Sequence, residues 1–403
     1  MTARPSPLRR LHRALASGDW LTPARARAYP AIFLVLWLVL GVAWITTGDG
    51  VFDRTGKVIG TDFLNVWAAA DMALEGRAAE AYDWAAHARA EQRVVGADHP
   101  DYYGWHYPPL FLLAVLPLGL LPYLWALAVY LAATAPAYAT VLRAILPGRA
   151  ALLAAAAFPG VWVNIGHGQN GFLTTGLLGG GLLLLDRRPL LAGTLLGLLA
   201  YKPQFGLLIP IALAAGGHWR AFSAATAAVI AASGLSAAVF GLDTWSAFFA
   251  SLELTRTHVI EQGATGWAKI QTAFSTVRLL GGGIGAAYAA QAIATVAAAA
   301  AVVAVWRSRA PARLRAAALV AAIPLTSPYL MDYDLVILAL PIALLAAEGR
   351  ETGFLAWEKT VLAAAWLLPL LSRPLATMVP LQLAPMVVAM LLAVIVRRAL
   401  RPA

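Results

Sequence analysis

AIFLVLWLVLGVAWITT, residues 31–47, decides what kind of molecule this chain becomes. The run carries no charge, follows a basic stretch, and approaches the ~20 apolar residues that a helix needs to cross the hydrocarbon layer. No small-x-small cleavage site comes after it, so it is read as a retained signal anchor. Comparable runs recur to the end of the chain. The 403 residues are 61% hydrophobic and 12% charged, against about 25% charged in a soluble domain. Only helices or closed barrels satisfy their backbone groups in lipid. The runs are rich in Leu and Ala and do not alternate with period two, which selects helices. The expected fold class is therefore an all-α integral membrane protein, a single transmembrane bundle over 1–403.

Charge orders the threading. Residues 1–30 hold arginines 4, 9, 10, 13, 25 and 27 against one acid, Asp19, which the positive-inside rule assigns to the cytoplasm. The segment 48–106 then carries acids at 49, 53, 62, 71, 75, 80, 83, 91, 98 and 101, half of all those in the protein, and five basic residues. It is read as the first outer loop. Residues 62–75 and 79–95 read as two helices lying along the membrane surface, with Gly76 as the stop between them.

Further inner-side markers are Arg187, Arg188, Arg220, Arg307, Arg309, Arg313, Arg315, Arg397, Arg398 and Arg401. Both termini then lie inside, which requires an even number of crossings. Thirteen runs are present, so one piece between 108 and 165 is re-entrant or merged, and about twelve spans are expected. The location implied is a bacterial inner membrane with the working face outside. A net charge of +10 spread over short loops reads as topology rather than as a nucleic-acid surface. The absence of cysteine excludes thiolate chemistry and disulfides.

Four short polar knots fall on the same outer side as the acidic loop: residues 106–109 (HYPP), 167–171 (HGQNG), 201–204 (YKPQ) and 327–334 (SPYLMDYD). A second outer loop, 242–282, adds Arg256 and His258. The candidate substrate contacts are His106, Tyr107, His167, Gln169, Asn170, Lys202, Gln204, Arg256, His258, Tyr333 and Asp334. An outward carboxylate beside such cations suits transfer of a group away from an anionic leaving group. Lys202, with His167, Arg256 or His258, would meet the charge of a departing lipid phosphate. Asp62 is the candidate base for the attacking hydroxyl, on a path resembling glycoside hydrolysis.

Taken in order, TDFLNVWAAADMALEGRAAEAYD, HYPPLFLL, GHGQNGFL, YKPQFGLL and SPYLMDYDL resemble the GT-C membrane glycosyltransferases, and specifically glycosyltransferase family 87, the polyprenyl-phosphate-mannose-dependent alpha-mannosyltransferases. The resemblance spans residues 30 to about 345. It implies a GT-C-like bundle with membrane-parallel helices in the first outer loop, and inverting transfer of a sugar, with mannose expected, from a polyprenyl phosphate to a lipid or glycan acceptor. It also implies a base at Asp62-Phe63, and donor contacts at Lys202-Pro203 and Gly168-Gln169. Tyr333-Asp334 matches a family Tyr-Asp without an assigned role. No cofactor or metal is expected, and the partners would be the donor, the acceptor and membrane lipids.

Plainer readings stand beside these. Asp62 could be the N-cap of the helix it precedes. Lys202 could snorkel to headgroups. His167 and Gln169 could cap the helix that starts at Gly171. His106 divides evenly between the two kinds of role, and Pro108-Pro109 suit a helix start. Asp332-Tyr333-Asp334 has D-x-D spacing, but outside the cell no nucleotide sugar is present, and helix-end hydrogen bonding is the commoner explanation. The triplets 179–181 and 281–283 are not phosphate loops, because no Lys-Ser/Thr follows. A secondary transporter and an inactive glycolipid-binding protein are the rival functions.

Overall fold

The computed structural model describes residues 6–97, 99 and 101–401. Arg4 and Asp98, counted above, lie outside them. Among the described residues the chain is helical, with isolated bridges only, such as Ile270 to Met331. Among the described residues five helices are long and apolar enough to cross a membrane: Arg25–Thr46, Tyr123–Ile145, Trp219–Phe240, Ile284–Arg307 and Glu358–Met378. Arg149–Ala156 and Pro159–His167, bent by 45°, make a sixth if taken together. The remaining apolar helices are shorter, among them Gly171–Leu184 and a 16-residue C-terminal helix, Ala384–Ala399.

Two compact units form. The first contains residues 38–141 and 162–267. Within it the acidic loop folds as the helix Phe63–Leu74, a 3-10 turn Ala78–Tyr82 and the helix Trp84–Val95. The first helix ends where expected, since Gly76 takes φ +76°. The second begins five residues later than its apolar pattern suggests. Asp83 takes an extended conformation and its side chain accepts from Ala86 N at 2.7 Å, so the true start is at this cap.

The tightest helix contact in this unit joins Pro189–Gly197 to Trp219–Phe240. Its cause is a Gly-x-x-x-Gly step. A Cβ on Gly193 would stand 2.1 Å from the Ala221 carbonyl oxygen, and one on Gly197 2.4 Å from that of Ala225. In lipid, where apolar side chains gain little from meeting one another, such close backbone approach drives association. The triplet 179–181 also serves packing, as Gly181 faces Leu196 on the same neighbouring helix.

The second unit contains residues 6–37, 142–161 and 268–401. Its centre is the Ala-rich helix Ala312–Ala322, buried continuously from Ala316 to Ala322 and packed against Ala339–Thr352, Ala384–Ala399 and Ile284–Arg307. Glu358 is fully buried and is gripped by the Arg398 guanidinium through both carboxylate oxygens at 2.7 Å. That pairing fastens the C-terminal helix to the start of Glu358–Met378.

Candidate active site

Asp62 begins the helix Phe63–Leu74 but does not cap it: its backbone is helical (φ −76°, ψ −13°) and its side chain makes no capping bond. The carboxylate turns instead towards a second turn, residues 167–170. Asp62 Oδ2 accepts from Gln169 Nε2 at 3.4 Å and lies 3.9 Å from His167 Nδ1. His167 Nδ1 also meets the Thr61 hydroxyl at 2.8 Å.

Two glycines make this meeting possible. Gly60 and Gly168 both sit in the left-handed region, at φ +73° and +61°, which costs a residue with a Cβ about 1 kcal/mol or more. A Cβ on Gly168 would lie 2.6 Å from Phe63 Cβ and 3.4 Å from Gly60 Cα. The turns therefore touch glycine to glycine. The Tyr123 hydroxyl fixes the first turn by donating to the Ile59 and Gly60 carbonyls at 2.7 and 3.0 Å.

From Asp62 a chain of side-chain hydrogen bonds runs to Lys202. Gln169, which donates to Asp62, accepts at Oε1 from the Tyr107 hydroxyl at 3.0 Å. Asn170 Nδ2 donates to the same hydroxyl at 2.7 Å, and Asn170 Oδ1 accepts from Lys202 Nζ at 2.9 Å. Lys202 is 3% exposed and its ammonium lies 5.1 Å from the Phe205 ring centroid. It does not snorkel. Asp62, at 5% exposure, is equally withdrawn from water. Two opposite charges are thus held in a low-dielectric interior by neutral amides and a phenol, each of which uses its hydrogen-bonding groups on its neighbours.

The supports were not legible in the sequence. Asn164 Oδ1 accepts from Gly171 N at 2.8 Å, so the capping once open to His167 and Gln169 falls to a residue seven positions back. Tyr107 is held from above and below. Its carbonyl accepts from the Tyr82 hydroxyl at 2.8 Å, and its ring packs on Phe111, which stacks on Tyr201 at 4.6 Å. Tyr201 in turn bonds the Thr174 hydroxyl.

Other expected residues are placed less directly. His106 Nδ1 meets the Thr255 hydroxyl at 2.9 Å, and desolvation, with His87 nearby, pushes its pKa down to about 4. Gln204 lies half-buried on the short helix Pro203–Gly206. Arg256 pairs with Glu253 and Glu261, and His258 with Gln262, on the helical turn Thr255–Glu261. Tyr333 and Asp334 belong to the other unit. There Asp334 accepts from Met331 N at 3.0 Å, Lys269 lies over the Tyr333 ring, and Asp332 pairs with Arg373 at 3.0 Å. The D-x-D spacing thus has the helix-end explanation. Among the described residues no three His, Asp or Glu side chains gather as a metal site.

A helical membrane protein with a buried carboxylate wired to a buried lysine has the parts of a group-transfer enzyme. The sequence profile of glycosyltransferase family 87 matches residues 105–328, more than half of the chain, and the chain belongs to that family of GT-C-like membrane glycosyltransferases. The match covers every member of the hydrogen-bonded chain except Asp62. No curated protein and no solved structure matches it.

Proposed function

We propose that the protein transfers a sugar, mannose by the family resemblance, from a polyprenyl phosphate to a hydroxyl of a lipid or glycan acceptor at the outer face of the membrane, with inversion. The observation that carries this reading is the continuous chain Asp62, Gln169, Tyr107, Asn170, Lys202. The acceptor hydroxyl gives its proton to Asp62 while its oxygen bonds to the anomeric carbon from the side opposite the phosphate. The bond from that carbon to the phosphate oxygen breaks, and its electron pair leaves with the phosphate, whose charge Lys202 offsets. Asp62 then returns its proton to water. Gln169 and Asn170 orient the two charged groups, and Tyr107 joins them.

The threading follows the same reading. Tyr123–Ile145 runs inward to Arg143, and the bent pair returns from Arg149 to place His167 outside. Leu110–Val115, continued only by a 3-10 turn to Leu120, is then the re-entrant piece. The remaining helices alternate to a total of about twelve spans, with the arginines inside. Membership of a glycosyltransferase family favours sugar transfer over the carrier reading.

The test is Asp62→Asn in isolated membranes supplied with radiolabelled polyprenyl-phosphate mannose. General-base loss should lower transfer by about 10²–10⁴-fold; unchanged transfer would remove Asp62 from the role. The face is tested separately: a cysteine introduced at the exposed Thr55, in a chain with no other, should react with a membrane-impermeant thiol reagent on intact cells.

A further inference from the structure

On the helix Trp84–Val95, residues 84, 87 and 91 follow the i, i+3, i+7 spacing that puts them on one face. This face packs against residues 102–106. Glu91 Oε2 accepts from Tyr103 N at 3.1 Å, and the Trp84 ring lies near those of Tyr102, His106 and His258, at 5.8, 6.5 and 5.4 Å. His87 stands edge-on to Tyr102 at 6.1 Å.

The polar groups beneath this aromatic rim are unsatisfied. His87 is 0% exposed and Glu91 1%. Yet both ring nitrogens of His87, Glu91 Oε1 and the Tyr102 hydroxyl make no hydrogen bond of normal geometry among the described residues, the imidazole having only a looser approach to the Tyr103 backbone. His87 Nε2 and Glu91 Oε1 are 3.5 Å apart, too far for a normal bond. Each orphaned group costs about 1–3 kcal/mol, and folded proteins rarely gather several in one place without a reason. The Asp62 charge is felt through space at both Glu91 and His106, so the cluster lies within electrostatic range of the base.

A ligand that completes it must offer an apolar face to the partly exposed Trp84 ring and several groups that both donate and accept. A pyranose does both, through its C–H face and its hydroxyls. An alkyl alcohol has one hydroxyl and no flat face, while a phosphate would meet the repulsion of the acidic loop.

We propose that Trp84, Tyr102, His87 and Glu91 form a subsite for a sugar ring of the acceptor, so that the nucleophile is a sugar hydroxyl of a glycan or glycolipid. This rests on the transfer reading above, and its test is made independent of the donor. Full-length protein in lipid nanodiscs is probed by saturation-transfer NMR with methyl α-mannopyranoside, and with 1-octanol as a control. The wild type should transfer saturation to the glycoside. Trp84→Leu and Glu91→Ala should weaken that signal at least fivefold, whereas Glu91→Gln, which keeps a donor and an acceptor as a protonated Glu does, should retain it. No glycoside signal in the wild type, or equal signals in all four proteins, would overturn the subsite whatever the donor assay gives. Where transfer is measurable, Glu91→Ala should raise the KM of a mannoside acceptor about tenfold and leave the donor KM unmoved; a rise in the donor KM instead would assign the cluster to the donor sugar and overturn the acceptor role.

Discussion

Gly168 shows how much of the site rests on one residue without a side chain. Its positive φ, and the lack of a Cβ where Phe63 Cβ would stand 2.6 Å away, let the 167–170 turn close against Asp62. Gly168→Ala should cost about 1–3 kcal/mol and lower transfer more than it lowers the melting temperature, because the strain falls directly on the Asp62 to Gln169 contact. The same scale holds a pH prediction. Burial raises Glu91 from 4.5 to about 8 and lowers His87 from 6.5 to about 3. Between pH 4.5 and 8 the folded protein therefore holds a Glu91 proton that the unfolded chain has lost, so this group makes stability fall as pH rises. Between pH 3 and 6.5 the unfolded chain holds a His87 proton that the folded protein lacks, so this group makes stability fall as pH drops. The two slopes oppose each other between 4.5 and 6.5. Melting curves across pH should show a plateau there, and Glu91→Gln should remove the decline above pH 6.5 while leaving the acid side in place.

At the scale of elements, helix ends were more legible than helix partners. Gly76 stops its helix because only glycine accepts the left-handed turn cheaply, and that is written in one residue. The start at Trp84 is hidden because Ala79, Ala81 and Tyr82 continue the apolar pattern through a 3-10 turn, and only the Asp83 cap breaks it. The Gly193 to Gly197 step is likewise plain in the sequence, but its partner, the helix Trp219–Phe240, is not. Gly193→Ala should push that pair apart. Overpacking of this kind costs about 1–3 kcal/mol, and the loss is checked by thermal unfolding in detergent. Gly206→Ala, where a Cβ would meet nothing within 4 Å, should change little.

At the scale of the molecule, most of the acids lie in one compact unit and most of the arginines in the other. The acidic loop, Asp62 and Lys202 belong to one, while the basic N-terminal segment, Arg307 to Arg315 and Arg397 to Arg401 belong to the other. Within the latter, Arg398 also bonds the Thr352 hydroxyl and the Gly353 carbonyl besides Glu358, so one side chain ties three successive helices. Removing one partner of a buried pair leaves the other charge uncompensated. Glu358→Ala should accordingly cost about 3–5 kcal/mol and cut the yield of folded protein, a loss seen as a lower melting temperature and earlier proteolysis.

The chain by itself determined its solvent, its helical class and the residue types of its site, because hydropathy, charge asymmetry and short ordered motifs are local properties. It also contained Asp62, Tyr107, Gln169, Asn170 and Lys202 as candidates. Only the tertiary structure decided that they form one hydrogen-bonded chain through Tyr107, that Asn164 rather than His167 or Gln169 caps the next helix, and that the His87 ring nitrogens and Glu91 Oε1 lie buried with no hydrogen bond of normal geometry among the described residues. The physical reason is distance along the chain. Asp62 and Gln169 are 107 residues apart, and what joins them is the close fit of two glycine turns, a property of neither segment alone.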